Sequence, residues 1–181
     1  MVNKCLKEWN AITEALGNGI QTILLRKYPT SIPEFLLYPS TRYTQNNRYL
    51  DQFNPKYQQF VEENSFPKKE NDKTEIKYFA TVENLMQIPT TRVGTLKNQY
   101  IWTSDHVKSY LGGSNAYIWV LRVYKLKKPY MAEPTKAMTF VNLKEGISLE
   151  GIKPVLNDKE YAKIVETIST KGKFLLDNER Y

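Results

Sequence analysis

The sequence is poor in the residues that build most metal and nucleophile sites. It has one cysteine, Cys5, and one histidine, His106. A lone cysteine excludes an internal disulfide framework, and the pair excludes a Cys/His zinc site. No glycine-rich phosphate loop occurs, and Leu111-Gly112-Gly113-Ser114 reads as a helix stop. No Gly-x-Ser-x-Gly elbow is present. No apolar run approaches the ~20 residues that cross a bilayer, so no membrane partner is expected. The stretch Met1 to Trp9 is charged and aromatic and lacks the apolar core of a secretory signal. The expected setting is reduced and cytoplasmic.

What is present is positive charge and aromatic rings. Twenty-six Lys and Arg stand against nineteen Asp and Glu, a net charge of +7, with thirteen Tyr, seven Phe and three Trp. Cations neutralise phosphates and rings stack on bases, so the balance suits RNA or single-stranded DNA as partner. Hydrophobic residues make up 41%, enough for a packed core. The 181 residues fit one domain, 1–181.

Periodicity gives the elements. Leu6, Trp9, Ile12 and Leu16 recur at helical spacing, and Gly17 and Gly19 end that helix. Residues 21–27 and 34–38 read as two strands joined by a six-residue loop, a hairpin that sets Lys27 opposite Glu34. Pro55 opens a helix ending near Glu63. In residues 74–82, Ile76, Tyr78, Ala80 and Val82 take one face of a strand, Glu75, Lys77 and Phe79 the other. Thr103 caps a helix through Leu111. Residues 117–126 form a central strand, apolar on both faces, and 139–143 one more. Asn157-Asp158-Lys159-Glu160 is a capping box opening a last helix with Tyr161, Ile164, Val165 and Ile168 on its buried side. The rhythm is not βαβ, so the expected fold is α+β, a mainly antiparallel or mixed sheet with peripheral helices in a single domain.

Several residues stand out chemically. Arg26, Lys27 and Glu34 would gather charge at one end of the hairpin, as a cross-strand ion pair or a site. Arg122 interrupts an apolar strand, and a buried guanidinium needs a partner, Glu34 or Glu83, or an anionic ligand. Lys125, Lys127 and Lys128 join it in a basic cluster. Glu75-Ile76-Lys77 has the spacing by which metal-dependent nucleases set a carboxylate and a lysine on one strand face, with Asp51 or Asp72 as the further acid. His106, beside Asp105 on the predicted helix, reads as a surface histidine.

The order of segments resembles an uncharacterised family, the domain of unknown function numbered 1802. The resemblance runs through Leu6-Lys7-Glu8-Trp9, Ile23-Leu24-Leu25-Arg26-Lys27, Glu34 to Ser40, Gln45, Ile101-Trp102-Thr103 and Leu121 to Leu126 with Pro129. The chain departs from the family pattern at Tyr28-Pro29, Thr44, Tyr100 and 137–141, where glycines, two histidines and a cysteine-bearing block are favoured. The resemblance brings no activity. It leaves Arg26, Lys27, Glu34, Tyr38, Gln45, Trp102 and Arg122 as candidate site residues. The leading expectation is a nucleic-acid-binding module without catalysis and without a cofactor. A nuclease-like enzyme using Glu34 or Glu75 with Lys27 or Lys77 and Mg²⁺ is the alternative, and a scaffold for a protein partner is a third.

Overall fold

The computed structural model describes residues 1–175. In chain order it runs β1 (Val2–Trp9), α1 (Asn10–Gly17), β2 (Ile23–Arg26), β3 (Glu34–Ser40), α2 (Gln58–Glu63), β4 (Lys69–Glu70), β5 (Lys73–Ile88), α3 (Ser104–Leu111), β6 (Ala116–Ala132), β7 (Phe140–Ile147), β8 (Lys153–Pro154) and α4 (Asp158–Ser169). Short 3-10 turns fill 42–45, 49–52, 55–57 and 90–96. One mixed sheet results, in the order β2-β6-β5-β3-β1-β7, with β4 beside β5 and β8 beside β6. The fold is α+β.

The helices begin where local chemistry says they should. Thr103 accepts a hydrogen bond from the His106 amide, and Gly112 at φ 58° closes α3 in the left-handed region. Asn157 and Glu160 form the reciprocal capping box of α4. Along α4, Ile168 is fully buried while Tyr161, Ile164 and Val165 are partly so.

Two sequence expectations are corrected. The first helix starts only at Asn10, because residues 2–9 are a strand. Strand β1 lies parallel to β3 (Cys5 beside Leu36, Trp9 beside Ser40) and antiparallel to β7 (Cys5 beside Val141). With neighbours on both edges it buries both faces: Cys5 joins one apolar cluster and Leu6 the other. Burial raises the Cys5 thiol pKa to about 12.

The second correction concerns the hairpin. β2 pairs with β6 (Ile23 with Val120, Arg26 with Tyr117), whereas β3 pairs with β5 (Glu34 with Thr81) and β1. Lys27 and Glu34 are therefore not partners. Longer strands with more apolar surface outcompeted the short local pairing. A further detail follows from a register shift between Ile76 and Tyr78. That bulge moves Ile76 into the cluster of Phe79 and leaves Tyr78 and Ala80 in the other.

The sheet curls. Phe35 on β3 has its ring centre 6.3 Å from Trp119 on β6 and 6.3 Å from Phe140 on β7. Arg26 on β2, at one end of the strand order, pairs with Glu8 on β1 near the other end. The opening between these ends holds a cavity. Among the described residues no helix is long and apolar enough to cross a membrane.

Candidate functional site

The cavity has a volume of about 300 Å³. It is built where β1 stops. Trp9 (φ −54°, ψ 137°) turns the chain into α1, and Lys7, Glu8 and Trp9 all line the space. Leu25, Arg26 and Tyr28 come from the end of β2, Ser40 and Arg42 from the end of β3, and Trp102 from the residue before the α3 cap. His106, Val107 and Tyr110 line it from one face of α3, and Ala137, Met138 and Thr139 from the segment before β7.

A buried ion pair stands in its wall. Arg26 Nη2 donates to Glu8 Oε2, with side chains 13% and 6% exposed. Glu8 Oε1 accepts the Trp9 amide at 2.8 Å, and Arg26 Nη1 donates to the Leu25 carbonyl at 3.1 Å. The guanidinium also lies 5.7 Å from the Trp119 ring centre. Desolvation pulls the Arg26 pKa down, but the Glu8 carboxylate offsets this and the net shift is upward.

The aromatic wall is Trp9, Trp102 and His106. Trp9 stacks on Tyr43 at 4.8 Å and 16°, and Phe53 meets its edge at 6.0 Å. Neither Tyr43 nor Phe53 lines the cavity, so they back the ring from the core. Burial pushes the Tyr43 hydroxyl up to about 12, where it stays neutral, donating to Ser65 and accepting from the Ala11 amide. His106 sits 5.7 Å from Trp9 and 6.4 Å from Trp102, and desolvation lowers its pKa. Trp102 is 7% exposed, and its Nε1–H has no partner among the described residues. Trp119 Nε1 donates to the Tyr28 carbonyl at 3.1 Å and fixes that edge.

Cations mark the other side. Lys7 Nζ donates to the carbonyls of Thr135 (3.3 Å) and Ala137 (3.0 Å) and lies 5.9 Å from the Tyr38 ring centre. Burial, then the nearby Arg42, pulls Lys7 below the usual ammonium value. Arg42 touches Met138 Sδ at 3.2 Å. Neither cation has an acidic partner among the described residues.

Of the residues singled out in the sequence, Arg26, Trp102 and His106 meet in this cavity, His106 half-buried there and not on the open surface, and the others do not. Tyr38 is buried in the second cluster, donating to the Glu133 carbonyl at 2.9 Å. Gln45 is exposed at the end of a 3-10 turn. Arg122, 12% exposed, is held by Asp158 at 2.8 Å and the Leu156 carbonyl at 3.0 Å, 4.4 Å from the Tyr161 ring. Its partner is therefore neither Glu34 nor Glu83. Lys125, Lys127 and Lys128 are exposed on β6, and Lys125 faces Lys153 of β8. They lie eight or more residues past Tyr117, the partner of Arg26, roughly 26 Å along the strand at ~3.3 Å per residue. Lys27 lies 5.3 Å from the Tyr110 ring, and Glu34 is exposed.

Glu75 and Lys77 line a separate cavity of about 110 Å³ with Asn10, Thr13 and Glu14. The acid brought there is Glu14, not Asp51, which pairs with Arg48, nor Asp72 in its turn. Glu14 is already committed, Oε1 to Lys77 and Oε2 to the Tyr78 hydroxyl.

Sequence reasoning missed Glu8, Trp9 and His106 as a group. The only signal for them was composition: a lone histidine between Trp102 and Tyr110 on a short capped helix, on the side that also carries Val107.

Comparison with known proteins adds a family. The profile described as Domain of unknown function (DUF1802) matches residues 5–167. No curated protein matches the chain. Among solved structures, ASCH from Zymomonas mobilis is similar at 12% identity and a TM-score of 0.49, covering 90% of this chain and 93% of that one. A single-residue variant of the same Zymomonas mobilis protein matches at 12% identity and 0.48, covering 90% and 96%.

Proposed function

Since the chain belongs to the DUF1802 family, whose membership carries no activity, we propose from the cavity itself a nucleic-acid-binding module for RNA or single-stranded DNA. One unstacked base enters the cavity beside the packed rings of Trp9, Trp102 and His106, and the adjoining backbone phosphate meets Lys7 and Arg42. The observation that carries this reading is the juxtaposition of an aromatic-walled cavity of about 300 Å³ with two cations lacking acidic partners. That volume lies at the small end of the ~300–1,000 Å³ usual for ligand sites. A ring against the Trp9 face gains ~1–3 kcal/mol by stacking. The exposed Lys125, Lys127 and Lys128 extend the electrostatic footprint along β6.

The test is fluorescence anisotropy of a labelled single-stranded octamer at two salt concentrations. Affinity falls with rising salt by a log-log slope of about −0.7 per phosphate contact. Trp9→Ala weakens binding at both salts without changing the slope. Changing Lys125, Lys127 and Lys128 to Glu flattens the slope. Binding absent at low salt, or indifferent to both sets of changes, rules the reading out. The nuclease-like alternative is weaker, because the carboxylate nearest Lys77 already has both oxygens occupied.

A further inference from the structure

We propose that the cavity reads the pairing edge of the base it takes and that this base is guanine, an inference that rests on the base-binding reading above. The reader is Glu8, a carboxylate 6% exposed in the wall of the cavity. Each of its oxygens holds one protein donor: Oε1 the Trp9 amide, Oε2 the Arg26 guanidinium. A carboxylate oxygen has two acceptor sites, so each oxygen keeps one. The carboxylate is thus fixed in orientation, neutralised by Arg26, and short of two donors.

Guanine supplies two donors side by side, N1–H and the 2-amino group, at the spacing of the two oxygens of one carboxylate. Cytosine and adenine each bring one amino group next to a ring nitrogen whose lone pair would face the second oxygen. Uracil brings one N–H flanked by two carbonyl oxygens, which the carboxylate repels. Guanine also carries O6, an acceptor that needs a donor beside the carboxylate. Arg26 has five N–H groups, of which the hydrogen bonds to Leu25 and Glu8 use two. The wall therefore presents two acceptors with donors beside them, the complement of the guanine edge.

The test varies the ligand and leaves the protein native. Uracil octamers carry one central guanine, hypoxanthine, adenine or cytosine, and binding is measured by anisotropy at one low salt concentration. Hypoxanthine differs from guanine only in lacking the 2-amino group. The expected result is that guanine binds about tenfold more tightly than hypoxanthine, and by at least as much over adenine and cytosine. Equal affinity for guanine and hypoxanthine, or tighter binding of cytosine, overturns the guanine assignment. If Trp9→Ala still weakens binding in that case, the base pocket stands without the edge reading. No binding of any octamer overturns both. Glu8→Gln replaces one acceptor by a donor, and the guanine preference is then lost while the salt slope is kept. Retention of the preference in a folded Glu8→Gln protein contradicts the proposal, and the ligand series decides it independently of that variant.

Discussion

Replacing Glu8 with alanine leaves Arg26 as a buried, unpaired guanidinium. The two side chains are only 6% and 13% exposed, so water entering from the cavity compensates incompletely for the lost carboxylate. Breaking a buried pair from one side costs about 3–5 kcal/mol. With a urea m-value of about 2 kcal/mol/M, the unfolding midpoint falls by about 1.5–2.5 M. The assay is urea denaturation followed by far-UV circular dichroism, with the slope fitted alongside the midpoint. The double change Glu8→Leu with Arg26→Met removes both charges and fills the space with apolar side chains. It recovers most of the loss, because the pair's desolvation cost disappears with the pair. A midpoint shift below about 0.3 M for Glu8→Ala, the behaviour of an exposed ion pair, refutes the description of the cavity wall.

His106 has a pKa lowered from 6.5 by desolvation, so its neutral form contributes stability that is complete above pH 6.5 and lost as pH falls through the lowered folded value. Thermal midpoints therefore drop between pH 7 and pH 5, and His106→Leu shallows that drop; an unchanged profile rejects the assignment. The Cys5 thiol, raised to about 12 by burial, stays unreactive to a disulfide reagent at pH 8 in the folded protein and reacts fully in urea. Gly17→Ala drives a Cβ into the Tyr78 ring, and that overpacking costs about 1–3 kcal/mol in chemical denaturation.

The parts of the fold legible in the sequence are those whose causes are local. Thr103 and Asn157 each name a helix start by a side-chain cap within three residues, and Tyr117 to Leu126 reads as a central strand because both faces are apolar. The misreadings share one cause, pairing at long range. Leu6, Trp9, Ile12 and Leu16 fit a helical period, yet β1 is pulled into a strand by β3 and β7, which supply partners on both edges. The loop between β2 and β3 suits a hairpin, yet β2 goes to a strand some ninety residues away. The cavity was half visible for the same reason. Arg26 and Trp102 stand out singly as odd residues, but Glu8 gains its meaning only from an ion pair eighteen residues apart in the chain. His106 gains its own from a ring contact across to β1.

The central claim is that a base enters beside Trp9 and Trp102. The most direct measurement is a titration of the ¹⁵N-labelled protein with an unlabelled single-stranded RNA octamer, followed by two-dimensional amide and indole NMR. The account predicts progressive shifts of the Trp9 and Trp102 indole N–H signals, together with the amides of Lys7, Arg42 and His106. Shifts confined to Lys125, Lys127 and Lys128, with both indole signals unmoved at saturation, would contradict it.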